Sequence, residues 1–298
     1  MSELRVVDPG PLSLVQDLGR SGISALGVSA SGAFDRSAHR LANRLVGNPE
    51  SAAALECLLG GLRLALPAGT WFAVTGAWSD AALVTADGGR RVVEPHAAMF
   101  TDAPAELHLG PVSRGLRSTV ALRGGLAVPL TLGSRSRDTL AGLGPEPLNA
   151  GDVLPLGPEP ASPVPPVDLV PLDPPADGVV ELAVRPGPRH EWFTAAAHQL
   201  LLTTEWTTSA RSDRTGVRLE GPALERVSTL AGAELASEGM LRGSIQISPD
   251  GAPTVLGPDH PVTGGYPVIA VVVQASLDLL AQLRPGQPVR LRLATGRR

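Results

Sequence analysis

Glycine and proline together fill about a fifth of this 298-residue chain, as 34 glycines and 29 prolines, and that density of turn formers limits what it can fold into. Helix interiors disfavour both residues, whereas short strands joined by tight turns use both. Between the turns, apolar residues recur mostly at every second position. Leu62, Leu64 and Leu66 alternate with Arg63 and Ala65, Leu107 and Leu109 flank His108, and Val120 and Leu122 flank Ala121. Val180, Leu182 and Val184 share one face, as do Val289, Leu291 and Leu293 near the end. This period marks half-buried strands, and further strands are expected at 4–7, 12–15 and 268–273. The fold class expected is mainly β with a few short helices.

Three helices fit the remaining pattern. In the first, Ala38, Leu41, Ala42, Leu45 and Val46 form one stripe, Asp35 is a natural N-cap and Gly47-Asn48-Pro49 a stop. His39 lies off that stripe and is expected to face solvent. The second, at 191–202, would bury Trp192, Phe193, Ala196, Ala197, Leu200 and Leu201 and leave His198 outside. Ser276 is expected to cap the third, which carries Leu277, Leu280 and Ala281 and stops at Pro285-Gly286. Prolines recur every few residues from Pro145 to Pro175, a semi-rigid linker composition. Two domains are therefore expected, at 1–157 and 179–298, joined by a proline-rich linker at 158–178.

Composition excludes several kinds of chemistry. The net charge of -4 provides no basic field for nucleic acid. All 25 positive residues are arginines, so a Schiff-base lysine, a phosphate-loop lysine and a biotinyl-lysine are all ruled out on this chain. The single cysteine, Cys57, sits among Leu55, Leu58 and Leu59 and reads as a buried structural thiol. His96 and His108 lack partners at metal-ligand spacing, and no metal site is expected. The chain opens on alternating polar and apolar residues, and no apolar run approaches membrane-spanning length, so a cytoplasmic location is expected.

Four stretches carry candidate chemistry. Gln16-Asp17-Leu18-Gly19-Arg20 puts an amide, a carboxylate and a guanidinium at a turn, to bind an anion or an amide or to hold the loop by an Asp–Arg pair; Asn43 either points toward it or does not. Gly133 to Asp138, GSRSRD, is either an oxyanion or phosphate site built around Ser134 and Arg135 or an exposed salt-bridged loop. Asp213, Arg214 and Arg218 crowd a third loop. The fourth stretch, 243–267, combines a β-hairpin, turning at Pro249-Asp250-Gly251, with a loop of Asp259, His260, Thr263, Gly264, Gly265 and Tyr266. Adjacent glycines let backbone N–H groups approach a ligand beside Tyr266; the alternative is a connecting loop with a structural tyrosine.

Eight motifs in fixed order carry a resemblance: QDLGR at 16–20, SGAFD at 31–35, AN-x-LVGN at 42–48, GSRS at 133–136, SDR-x-G-x-RL at 212–219, IQ-x-x-PDG at 245–251, TGGYP at 263–267 and AQLRPG at 281–286. Over essentially its whole length the chain resembles the family of the C subunits of bacterial 5-oxoprolinase, also called allophanate hydrolase subunit 2 or the biotin-dependent carboxyltransferase family. The kinase-inhibitor antagonist of sporulating bacilli and part of the urea carboxylase carboxyltransferase region belong to it. The resemblance implies two cyclophilin-like β-barrel domains. It also implies a component, inactive alone, that works with an A-type protein and a homologous B-type protein to open 5-oxo-L-proline to L-glutamate. ATP, with or without magnesium, would be the co-substrate of that complex.

On that chemistry Arg20, Arg135, Arg214 and Arg218 would balance phosphate charge, Gln246 and Tyr266 would orient the lactam, and Asp213 or Asp35 would position water. Asp17, Asn43, Ser134, Asp250, Gly264 and Gly265 complete the expected binding set. Two alternatives stand beside this: carboxyl transfer from carboxybiotin carried on another chain to urea or a related amide, and a non-enzymatic regulatory partner of a B-type protein. The chain departs from the family pattern at Arg137, around Pro145, at Pro261 and at Ser276.

Overall fold

The structure, a computed structural model, describes residues 3–166 and 170–294. Part of the expected linker, 167–169, lies outside the described residues. The chain divides into two compact units: Met1–Arg20, Ser31–Asp138 and Gly142–Pro175 form the first, and Ser21–Ala30, Thr139–Ala141 and Ala176–Arg298 the second.

The strands of the first unit are β1 (Glu3–Pro9), β2 (Leu12–Gln16), β3 (Ala54–Leu58), β4 (Leu62–Leu66), β5 (Thr70–Thr85), β6 (Arg90–Val92), β7 (Ala98–Thr101), β8 (Ala105–Leu122) and β9 (Val153–Pro155). They make one nine-stranded sheet in the order β2-β3-β8-β4-β1-β9, with β5 pairing β8 and carrying β6 and β7. The sheet curls into half a barrel. Register shifts between Gly76 and Ala81 interrupt the β5–β8 ladder, and such bulges bend a long strand pair. The alternating leucines behave as the period demands: Leu62, Leu64, Leu107 and Leu122 are fully buried with Phe72 and Leu55. Cys57 is buried beside them, and burial pushes its thiol up to about 12, as expected of a structural cysteine.

Helix α1 (Arg36–Leu45) starts where Asp35 caps it, the carboxylate accepting the Ala38 N–H at 2.8 Å. Its Ala42, Leu45 and Val46 pack on Ala54, Ala73 and Ala121, small side chains that let the helix approach the sheet closely. His39 is not solvent-facing as its position off the stripe suggested; it is only 1% exposed. Asn43, one turn on, brings its amide nitrogen within 3.2 Å of His39 Nε2, so the imidazole has a partner inside. Burial depresses its pKa to about 4, which keeps the ring neutral.

The strands of the second unit are β10 (Val180–Pro186), β11 (Glu205–Thr208), β12 (Gly216–Glu220), β13 (Glu238–Gly239), β14 (Ser244–Ile247), β15 (Pro253–Leu256), β16 (Thr263–Gly264), β17 (Val268–Val272) and β18 (Pro288–Leu293). Seven of them close a barrel in the order β10-β17-β14-β15-β12-β11-β18, and parallel pairing of β10 with β18 completes the ring. The mainly β expectation therefore holds, with full closure reached in this unit. The expected hairpin is present, Ile245 facing Val255 across β14 and β15. Its turn rests on Gly251, whose φ of +81° is a left-handed conformation that glycine adopts without strain.

Two helix boundaries differ from the sequence reading. The stretch at 191–202 divides into a 3-10 turn at His190–Trp192 and helix α2 (Ala195–Thr203), because Thr194 accepts the Ala197 N–H and starts the helix there. Ala196 is exposed rather than buried. Ser276 does not cap helix α3 (Gln274–Leu277), which follows Val273; its hydroxyl instead accepts the Ala183 N–H at 3.2 Å. No helix among the described residues is long and apolar enough to cross a membrane.

Trp206, the largest fully buried side chain, donates from Nε1 to the Leu201 carbonyl at 3.1 Å and closes over Gly221. A Cβ on Gly221 would lie 2.6 Å from the indole, whereas a Cβ on Gly178 would meet nothing within 4 Å. Gly221→Ala should cost about 1–3 kcal/mol through overpacking, read as a lower urea midpoint or melting temperature. Gly178→Ala should leave both unchanged or raise them slightly.

Candidate functional site

A dense polar cluster of the first unit is built by the turn after β2 and the GSRSRD loop. Asp17 is 8% exposed and collects four donors. Its Oδ1 accepts both the Ser134 and the Ser136 hydroxyl at 2.6 Å and the Gly19 N–H at 2.7 Å, and its Oδ2 accepts the Arg135 N–H at 2.7 Å. Burial would raise its pKa, but the two serine hydroxyls and the Arg135 and Gly19 amides hold it below the ordinary value of 3.8. The fold allows this convergence because Gly32, at φ +89°, passes so close that a Cβ would sit 2.7 Å from the Gly19 nitrogen.

Arg20 lies beside this cluster, 2% exposed. Its guanidinium donates to the Ser136 carbonyl at 2.5 Å and the Thr131 carbonyl at 3.4 Å, while Nη1 has no hydrogen-bond partner. No ion pair to Arg20 occurs among the described residues, so this is a buried cation held by carbonyl dipoles alone. Gln16 is equally enclosed: its amide nitrogen donates to the Arg137 carbonyl at 2.9 Å, and its Oε1 is unpartnered. The Asp17–Arg20 pair that the turn suggested is thus replaced by two separate sets of bonds to one loop.

The other first-unit candidates serve the scaffold. Asp35 is the α1 cap. Asn43 donates to the Ala52 carbonyl at 2.9 Å and accepts from Asn48 at 2.9 Å, tying the helix to the segment that follows it. Arg135 donates from Nε to the Val128 carbonyl at 2.7 Å. Sequence reasoning passed over Ser136, although it stands in the same motif as Ser134. It also passed over Glu56, whose carboxylate accepts the Phe34 N–H at 2.7 Å and lies 3.7 Å from Arg117.

In the second unit, Arg214 forms a buried two-point ion pair with Asp259, Nε to Oδ2 at 2.8 Å and Nη2 to Oδ1 at 3.0 Å. The same Oδ2 accepts the Thr139 N–H at 2.9 Å and its hydroxyl at 2.8 Å. Asp213 turns its carboxylate back onto the Thr215 and Gly216 N–H groups, and Arg218 is exposed. Gln246 donates to the Tyr266 carbonyl at 3.3 Å, and a Cβ on Gly264 would come within 2.6 Å of its amide. Gly264 thus lets the glycine loop lie against the Gln246 amide as it stands. The Tyr266 side chain is 47% exposed, Gly265 faces the Leu235 carbonyl, and Asp250 closes the hairpin turn by accepting from Ser248 and Ala252. Asp259 was visible in the loop, but its partner lies 45 positions away and nothing local pairs them. No group of three or more metal-ligating side chains occurs among the described residues.

Asp17→Asn replaces an acceptor of four hydrogen bonds with a group that must point two N–H donors at donors. We expect a loss of about 2–3 kcal/mol, measured by urea unfolding at neutral pH. Because the folded-state pKa is depressed, the wild-type advantage is complete above 3.8 and disappears as pH falls through the lower folded value.

Comparison with known proteins agrees with this architecture. Residues 26–293 match the family described as carboxyltransferase domain, subdomain A and B. The chain is 36% identical to the C subunit of Escherichia coli 5-oxoprolinase, over 96% of its own length and 89% of that protein. Among solved structures, TTHA0988 aligns with 97% of the chain at 35% identity and a TM-score of 0.85. The K. lactis urea amidolyase aligns with 98% of it at 28% identity and 0.88. The chain spans 56% of the first of these and 19% of the second. With the family match covering nearly the whole chain and both barrel-type units, this protein belongs to the carboxyltransferase domain, subdomain A and B, family.

Proposed function

We propose that this chain is the C subunit of an ATP-dependent 5-oxoprolinase, opening 5-oxo-L-proline to L-glutamate together with A-type and B-type partner proteins. The observation that carries the reading is the 36% identity to the Escherichia coli C subunit over 96% of the chain. A lactam carbonyl is a poor electrophile. Phosphorylation of its oxygen by ATP supplies a leaving group, and water then attacks the carbonyl carbon.

Within this chain, Arg20 is the best-placed group to balance phosphate or oxyanion charge. A preorganised donor in a site screened from water stabilises developing charge without reorganising, and Arg20 combines near-complete burial with an unpartnered Nη1. Asp17, Ser134, Ser136 and the Arg135 amide hold the loop whose carbonyl grips Arg20. Gln246, Gly264 and Tyr266 are the candidate lactam-facing set of the second unit. Arg214 acts through position, since Asp259 holds its guanidinium.

A second reading is favoured by the likeness to urea amidolyase: carboxyl transfer to urea or a related amide, with carboxybiotin delivered on another chain because this one has no lysine to carry it. Mixing the chain with its A-type and B-type partners and measuring glutamate release separates the two. Release that needs ATP, 5-oxoproline and this chain supports the oxoprolinase reading. Turnover that needs bicarbonate and a biotinylated carrier supports carboxyl transfer. Arg20→Gln should lower kcat by at least about 100-fold with the complex still assembled; wild-type turnover in that variant would remove Arg20 from the chemistry.

A further inference from the structure

Away from these clusters, the first unit contains a cleft of about 520 Å³ where one edge of β5 is left without a neighbouring strand. Along that edge, β5 pairs with β7 through residues 70–73 and with β6 through 82–84. Among the described residues, the stretch between them is crossed by the 93–96 loop, whose Val93 N–H donates to the Ala81 carbonyl and whose His96 N–H donates to the Val74 carbonyl. The register shifts at Trp78, Ser79 and Ala81 fall in this gap. His96 takes φ +58°, a left-handed conformation that few non-glycine residues adopt and histidine adopts more readily than most.

The lining is polar and apolar in an unusual division. Trp78 and His96 meet edge to face with ring centroids 6.3 Å apart, and Val93, Val170, Pro171 and Leu172 supply apolar walls. Yet Trp78 Nε1 is buried with no hydrogen-bond partner, and the His96 ring, in a residue 4% exposed, has none among the described residues. At the rim, Asp80, Glu94 and Arg90 make no ion pair among the described residues, whereas the buried carboxylates are either ion-paired, as Asp259 and Glu56 are, or hydrogen-bonded, as Asp17 is. A buried indole N–H without an acceptor costs free energy that a ligand, or a water molecule, can recover. The volume falls in the range of small-molecule sites.

We propose that this cleft binds a nucleoside or its 5′-phosphate, with the base against Trp78 and His96, the ribose hydroxyls on Asp80 and Glu94, and a phosphate at Arg90. Aromatic faces stack on any base, a carboxylate suits a ribose diol, and a guanidinium suits phosphate. Burial lowers the His96 pKa, so its neutral ring offers one donor and one acceptor to a base edge. The proposal does not rest on the lactam reading, because it is tested as binding to the isolated full chain without turnover.

The probes are adenine, adenosine and AMP, titrated calorimetrically. Adenosine should bind saturably, and AMP should bind more tightly than adenosine by a margin that Arg90→Ala removes. Ser113→Trp, at an exposed rim position, should fill the mouth and weaken adenosine by at least about tenfold. Asp80→Asn combined with Glu94→Gln should weaken adenosine by about tenfold while leaving adenine unchanged. Asp80 and Glu94 are exposed rim side chains, so the carboxamide variant should melt with the wild type; the Ser113 hydroxyl donates to the Trp78 carbonyl at 3.1 Å, so the carboxamide variant carries the test even if Ser113→Trp is poorly folded. Absence of saturable adenosine binding, or binding that the carboxamide variant leaves unchanged, overturns the proposal.

Discussion

A carboxylate removed from water must gather donors or a cation, and this chain is organised around two that do so in different ways. Asp17 has no ion-pair partner among the described residues and is satisfied by two hydroxyls and two backbone amides. Asp259, with no solvent exposure, uses a guanidinium and both donors of Thr139. In each case the donors come from segments far apart in sequence, so satisfying one charge fixes several loops at once. Removing either acceptor would leave a set of donors unpaired inside the protein, which costs more than the bonds themselves contribute.

The two arrangements have different consequences for chemistry. Asp17 is satisfied by hydroxyl and amide dipoles, and Arg20 beside it is held by carbonyls with Nη1 left without a hydrogen-bond partner. Arg214 is matched to a formal negative charge and is held at two points; its value lies in rigidity. Arginines equivalent in the sequence therefore divide into a cation held by carbonyl dipoles and a cation clipped to a carboxylate.

Glycine decides how closely these loops approach one another. Gly32 against Gly19 and Gly264 against Gln246 are contacts in which any side chain would overlap its neighbour. They explain why the glycine-bearing motifs SGAFD and TGGYP coincide with the polar clusters. The glycines act there by leaving room, and the polarity of the clusters comes from the residues brought together across that room.

The strands, the α1 helix with its Asp35 cap, the β14–β15 hairpin and the buried Cys57 were legible in the sequence, since each follows from a local period or a local turn. The order of eight motifs also placed the chain in its family. The interior place of His39, the bond from Ala183 to Ser276, the start of α2 at Thr194 rather than at Glu191, the pairing of Arg214 with Asp259 and the gap in the β5 edge beneath Trp78 were not. Periodicity reports which face of an element is apolar, but a polar side chain is buried or exposed according to whether a partner meets it in space. That partner stood 45 residues from Arg214 and more than 100 from Asp17. Local chemistry therefore determined the elements by itself, and only the closing of the two sheets decided which polar residues became structure and which were left with bonds still to make.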